Sequence, residues 1–311
     1  MYKVKAFFKL LRFNNLIFIV LTQFLFQFAV VHGFFYLDNL TGVLPNNYFY
    51  FLVVASVCIA AGGYIINDYF DVNIDLINKP HKTYIKTIFS RRAAIKFHFI
   101  ITTIGMVCTC FVAYKLNNWW LAVGNLLAVF LLVIYSVSLK RKILVGNFLV
   151  ALLIVYTLGI LLFLQLQFIP NSHPLLPKFL RISGGYILFS FITTLIREAI
   201  KDLEDIEGDR KNGCQTLAIV YHVDVAKMYT GVLICITNAL IIAICFYACW
   251  LQYYLPAIYL LVLLFAPMVY CLKLLYTANS KLHFALISKW LKIVMLFGIL
   301  SMLFFFNKNI F

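Results

Sequence analysis

The chain has 311 residues, 64% hydrophobic, 17% aromatic and 12% charged, with a mean hydropathy of +0.96 and a net charge of +15. So much apolar surface excludes an ordinary soluble globular domain and predicts an all-α polytopic membrane protein. The positive charge then reports membrane orientation and anionic head groups. No nucleic-acid partner is expected, because a basic nucleic-acid face needs a soluble surface to sit on.

The opening "MYKVKAFFKLLRFNN" is basic and runs into an apolar stretch without a small-residue cleavage site, so it reads as an uncleaved first span. On a ruler of about 20 apolar residues per crossing, nine spans follow. They fall at 16–36, 47–66, 94–114, 119–138, 144–168, 179–199, 226–249, 253–275 and 285–306. Polar breaks such as "DNLTGVLPN", "KLNN", "SLKRK" and "PNSHPLLPK" separate them. A single domain over 1–311, a bundle of about nine transmembrane helices, is the expected architecture. The eight cysteines form no CxxC pair and no cysteine–histidine metal spacing, and the six histidines suggest no zinc site. Most of the cysteines lie in apolar runs, where they act as small hydrophobes.

One side of this topology, the side of the N-terminus, collects all but Lys115, Lys178, Arg181 and Lys308 of the 26 Lys and Arg. The positive-inside rule places the N-terminus and the even-numbered loops in the cytoplasm, and the protein in the cytoplasmic membrane.

The acids are distributed differently. All but Asp38 and Asp224 of the 11 fall in two clusters, each at the cytoplasmic end of a span. Asp68, Asp71 and Asp75 follow the second span; Glu198, Asp202, Glu204, Asp205, Glu207 and Asp209 follow the sixth. Asn67, Asp71 and Asp75 run i, i+4, i+8 and share one helix face. Glu198, Asp202, Asp205 and Asp209 run i, i+4, i+7, i+11, and on a continuous helix they too form a stripe. Stacked like charges destabilise a helix, so a positive partner is required. Two readings meet that need: ion pairs with neighbouring Lys and Arg at a wet helix end, or a hard divalent cation. Mg²⁺ typically takes one or two carboxylates plus substrate phosphates. Two facing stripes, each holding Mg²⁺ against one bridging diphosphate, explain both clusters together.

Basic residues suited to phosphate oxygens follow each stripe, in "NKPHK" (78–82) and "GDRKNG" (208–213). By proximity Lys82, Lys201, Arg210 and Lys211 are the best placed. Pro80 should stop the first helix. The recurrence of D-x-x-x-D after spans two and six suggests a parallel internal repeat of spans 1–4 and 5–8, with a ninth helix appended.

These residues resemble the UbiA superfamily of intramembrane prenyltransferases. Its N-x-x-x-D-x-x-x-D signature stands here as "NDYFDVNID", with Asn67, Asp71 and Asp75 as metal ligands. Its D-x-x-x-D signature gives Asp205 and Asp209, with Asp202 one turn earlier as a catalytic candidate. The resemblance implies Mg²⁺-dependent ionisation of an isoprenyl diphosphate donor and capture of the allylic cation by an acceptor. It also implies a Tyr-Ser pair near the cation, found in "VIYSVSLKRK" (133–142) as Tyr135 and Ser136, followed by Lys140. Tyr135 is then catalytic, and Lys82, Ser136, Lys140, Lys201 and Arg210 bind the diphosphate. Within the family the motifs look most like the branch that adds a second prenyl chain, geranylgeranyl, to a glycerol-phosphate lipid. One departure stands out: an Arg-Pro pair usual after "NKP" is replaced by "HKTYIKTIF", with Lys82 in the arginine's place. An aromatic acceptor of quinone biosynthesis is the alternative, and a divalent-cation or lipid-diphosphate transporter the rival outside enzymes.

Overall fold

The computed structural model describes residues 2–35, 43–79 and 83–306. Among these, nine helices are long and apolar enough to cross a membrane. In order they are Phe13–Phe35, Asn46–Asn78, Arg91–Lys115, Trp120–Val137, Val145–Gln165, Leu176–Glu204, His222–Trp250, Tyr254–Thr277 and Lys281–Phe306. They answer the nine expected spans one for one, and no strand forms among the described residues. Lys82 and Asp38 lie outside the described residues.

The second and sixth spans run further than apolarity alone predicts. At about 1.5 Å per residue a 33-residue helix is about 50 Å long, well beyond a hydrocarbon core of about 30 Å. Its surplus is the acidic end. The helix stops at Asn78, where Lys79 leaves helical geometry (φ −146°, ψ 58°) one residue before Pro80 in the sequence. A proline disfavours helical backbone in the residue before it, which accounts for the stop.

The chain forms two compact units, and neither is one contiguous stretch. The first takes Met1–Gln23, Leu44–Leu149 and Glu207–Gln215; the second takes Phe24–Val43, Val150–Ile206 and Thr216–Phe311. In the first unit, small residues bring the second and third spans together. Gly62 faces Thr102 and His98, and Gly105 faces Cys58, Ala55 and Ile59. The buried His98 Nδ1 donates to the Gly62 carbonyl at 2.9 Å, and Asn125 Nδ2 donates to Thr109 Oγ1 at 2.7 Å. Small contact residues and inter-helix hydrogen bonds are the means by which helices associate in lipid, where hydrophobicity no longer drives them. A cluster of Leu10, Ile65, Val72, Ile85 and Ala94 packs the side of the second span away from its acids. The amphipathic division places Asn67, Asp71 and Asp75 on the opposite face.

The second unit has an extended apolar core. Ile196 and Ile200 of the sixth span, Ile234 and Ile241 of the seventh, Met268 and Cys271 of the eighth, and Ile287 and Leu291 of the ninth all belong to it. Here Gly33 lies directly against the backbone of Phe305. A Cβ at Gly33 would collide with the Phe305 carbonyl oxygen and stand 3.2 Å from its carbon. Backbone cannot rotate aside as a side chain can, so Gly33→Ala is expected to destabilise by about 1–3 kcal/mol, read as a lower Tm in detergent. An unchanged Tm would show that the two helix ends part without cost.

Large apolar side chains also cover the outer surface. Trp119 and Trp120 begin the fourth span, and Trp250 and Tyr254 flank the connection between the seventh and eighth; all four are exposed. Amphipathic rings at span ends fit the membrane–water interface. The protein is an integral membrane protein.

Candidate active site

The first unit gathers the charged residues of the first motif with the tail of the second. On the second span, Asn67 Nδ2 donates to Asp71 Oδ2 at 2.8 Å. Lys140 pairs with Asp71 Oδ1, and its side chain is only 8% exposed. Lys140 sits in a short 3₁₀ turn, Leu139–Arg141, just after the fourth span. That turn packs closely on Gly146, where a Cβ would stand 2.8 Å from Lys140 Cα and 3.3 Å from the Tyr135 ring. A glycine at 146 therefore lets the turn that carries Lys140 pack close beside the Tyr135 ring, and Lys140 reaches Asp71 from there. Ser136 is fully buried, and its hydroxyl donates to the Leu132 carbonyl at 2.8 Å, a bond any phosphate oxygen would have to displace.

The remaining acids of the first cluster have different surroundings. Asp68 is paired by Arg12 at 2.6 Å, and the Arg12 guanidinium also lies 5.1 Å from the centre of the Tyr64 ring. Among the described residues the half-buried Asp75 carboxylate has no hydrogen-bond or ion-pair partner. Asn67 Oδ1 is buried and also unpartnered. An orphaned carbonyl oxygen one and two turns from the Asp71 and Asp75 carboxylates is a hard-oxygen donor set, and it fits Mg²⁺. No three His, Cys, Asp or Glu side chains among the described residues converge into a protein-only metal cage. Mg²⁺ that shares its coordination with phosphate oxygens does not need one.

The second motif departs from the expected single stripe. The sixth span ends at Glu204, and Asp205 is its C-cap (φ −102°, ψ 10°). A separate short helix, Ile206–Lys211, carries Asp209 and Arg210. Glu198, Asp202, Asp205 and Asp209 therefore do not share one helix face. Beyond the break, the Gly208 N–H donates to Asn78 Oδ1 at 2.9 Å. That bond draws residues 207–215 into the first unit. The short helix then closes with Gly213 in left-handed geometry (φ +70°), where Cys214 N donates to the Asp209 carbonyl and Gly213 N to that of Arg210. This is a Schellman turn, which favours glycine. It buries the Cys214 thiol, which is pushed up to about 11, first by burial and then by Asp209; Asp71 adds to this, while Arg141 and Lys140 oppose it. Asp71, Lys140, Arg141 and Asp209 thus all lie within electrostatic reach of one buried thiol.

Lys201, Asp202 and Asp205 belong to the second unit. Lys201 Nζ reaches Glu198 Oε2 at 3.3 Å, and Arg197 reaches Glu198 Oε1 at 2.9 Å. The buried Glu198 is accordingly an ion-pair centre. Arg210 and Lys211 are exposed on the short helix. Sequence reasoning missed Arg12 and Asn78. Asn78 continues the first stripe at i+11 from Asn67, a signal that was available; Arg12 looked like one more orientation charge.

In the first unit, carboxylates and cations gather at the acidic end of the second span. Residues 17–305 match the UbiA prenyltransferase family, and the chain belongs to that family. It is an intramembrane prenyltransferase. The chain is 32% identical over 271 residues to digeranylgeranylglyceryl phosphate synthase of Methanosphaera stadtmanae, covering 84% of this chain and 90% of that one. A solved structure concerned with digeranylgeranylglyceryl phosphate synthase in membranes has the same fold, with a TM-score of 0.61 at 20% identity over 97% of this chain and 99% of that one. A UbiA homolog from Archaeoglobus fulgidus, solved with GPP and Mg²⁺, shares the fold with a TM-score of 0.56 at 15% identity, covering 96% and 99%.

Proposed function

We propose that this enzyme moves an isoprenyl group, geranylgeranyl, from its diphosphate to a glycerol-phosphate-type lipid, with release of pyrophosphate and dependence on Mg²⁺. The observation that carries the reading is the Lys140–Asp71 pair on the second span, together with the Gly208–Asn78 bond that ties the short Asp209 helix to the end of the same span in one compact unit. The acceptor rests on similarity to digeranylgeranylglyceryl phosphate synthase over nine-tenths of that relative's length. The cation rests on the Asn67, Asp71 and Asp75 donor set and on the Mg²⁺ held by the Archaeoglobus homolog.

Asn67, Asp71, Asp75, Asp205 and Asp209 would hold Mg²⁺. Bound there, the metal supplies Lewis-acid neutralisation of the leaving diphosphate. Lys140, paired to Asp71, is placed to serve phosphate oxygens, and Lys82, Lys201, Arg210 and Ser136 complete the assigned diphosphate set. The C1–O bond of the donor breaks and its electron pair leaves on pyrophosphate. The Tyr135 ring stabilises the allylic cation with its face. The acceptor hydroxyl oxygen bonds C1, and Asp202 takes its proton. Lipid-facing helices exclude water that would otherwise quench the cation. Residues 1–311 act in this reading as one prenyltransferase domain, with the N-terminus and site on the cytoplasmic side of the cytoplasmic membrane.

Mass spectrometry of products from the detergent-purified protein tests this reading. Geranylgeranyl diphosphate would be supplied with geranylgeranylglyceryl phosphate and 4-hydroxybenzoate together, with Mg²⁺ or with EDTA. A doubly prenylated glycerol phosphate formed only with Mg²⁺ is the expected product. A prenylated aromatic alone would move the acceptor to the quinone branch.

A further inference from the structure

We propose that Asn78 is a positioning residue: its side-chain oxygen clasps the Gly208 N–H and so sets Asp209 beside the acidic face of the second span. The bond is 2.9 Å long and buried, and it joins residues 130 positions apart in the chain. Gly208 is itself buried, and a Cβ added there would stand 2.5 Å from Asn78 Cγ and 2.6 Å from its Oδ1. So tight an approach leaves room for hydrogen alone. The far end of the segment is also tied: Gln215 N donates to the Arg141 carbonyl at 2.8 Å, on the turn that carries Lys140. Between the two ties lie Asp209, in the short helix, and Cys214, which is 5% exposed.

The two ties do different work. The Arg141 bond is backbone to backbone and survives most substitutions. The Asn78 bond depends on one amide and on the absence of a side chain at Gly208. Asn78 closes the same helix face that carries Asn67, Asp71 and Asp75, so the clasp registers the second motif directly against the first. The inference rests on the reading of Asp209 as a metal ligand, but Cys214 gives a readout that needs no turnover.

The experiment follows alkylation of Cys214 by N-ethylmaleimide, resolved by peptide mass spectrometry, in detergent-purified full-length protein. Cys271, fully buried in the second unit, serves as the folding control. Asn78→Ala and Gly208→Ala are each expected to label Cys214 at least about tenfold faster than wild type, because local opening becomes easier, while Cys271 stays protected. The double variant should label no faster than either single one, since both remove the same clasp. Asn78→Asp keeps an acceptor oxygen and should keep Cys214 protected. Pyrophosphate release is expected to fall by about 10–100-fold in the two opened variants, the scale for losing a residue that orients a metal ligand.

Wild-type protection of Cys214 in both Asn78→Ala and Gly208→Ala would overturn the clasp. So would Cys214 exposure with undiminished turnover. If Asn78→Ala fails to fold, shown by labelling of Cys271, the decision passes to Asn78→Asp, and rapid Cys214 labelling there overturns the proposal. A wild type without Mg²⁺-dependent pyrophosphate release would remove the proposed function, while the labelling pattern would still judge the clasp.

Discussion

Asp75→Ala and Asp209→Ala should each slow pyrophosphate release by roughly 10²–10³-fold, the scale for losing one preorganised group that stabilises transition-state charge. The double variant should be little slower than either single one. Groups that act as one unit are non-additive, because the first loss already disables the unit. The geometry singles out these two. Asp68 is occupied by Arg12 and Asp71 by Lys140, whereas Asp75 has no ion-pair partner among the described residues. Asp209 is held in place from the second motif by the Gly208–Asn78 bond. Single-turnover rates at saturating donor, over a range of Mg²⁺ concentrations, measure the effect. Losses that multiply would mean two independent sites and would break the single bridging diphosphate. Rates within a few-fold of wild type would remove the metal role from both carboxylates.

Glu198→Ala is expected to act on stability, and the loss should be large, about 3–5 kcal/mol, because it strands two cations that now share one carboxylate. Arg197 and Lys201 both reach Glu198, whose side chain is 8% exposed. Unpaired charge near lipid is costly. Glu198→Gln, which keeps the shape and loses the charge, should also destabilise. Replacing Arg197, Glu198 and Lys201 together with apolar residues of similar volume should recover much of the loss, since a buried ion pair often contributes little against an apolar isostere. Thermal unfolding in detergent reads both results. A Glu198→Ala protein with wild-type Tm but no activity would return Glu198 to the metal site.

Much of the candidate site was legible because its residues obey local rules. Asn67, Asp71 and Asp75 needed only the period of the helix, which the structure keeps unbroken to Asn78. The same rule failed for Glu198, Asp202, Asp205 and Asp209, because the helix opens at Asp205. A helical period assumes an unbroken helix, and here the segment past the break is tied to a partner distant in sequence. The Asn78 amide is 130 residues from Gly208, and nothing near Gly208 announces it. Arg12 was obscured for a related reason: on a chain with 26 Lys and Arg, one cation's specific partner cannot be read from charge count.

The sequence by itself determined the nine spans, the all-α class and the placing of both acidic clusters at helix ends. Hydrophobic length against bilayer thickness is a one-dimensional measure, and a run of residues either meets it or does not. Only the tertiary structure decided which acids are paired with protein cations. It also decided that Asp209 leaves the sixth span to join the first unit. Those outcomes depend on close approaches between distant segments, at Gly208, Gly146 and Gly33, where the absence of a side chain matters only once the facing backbone or amide is known.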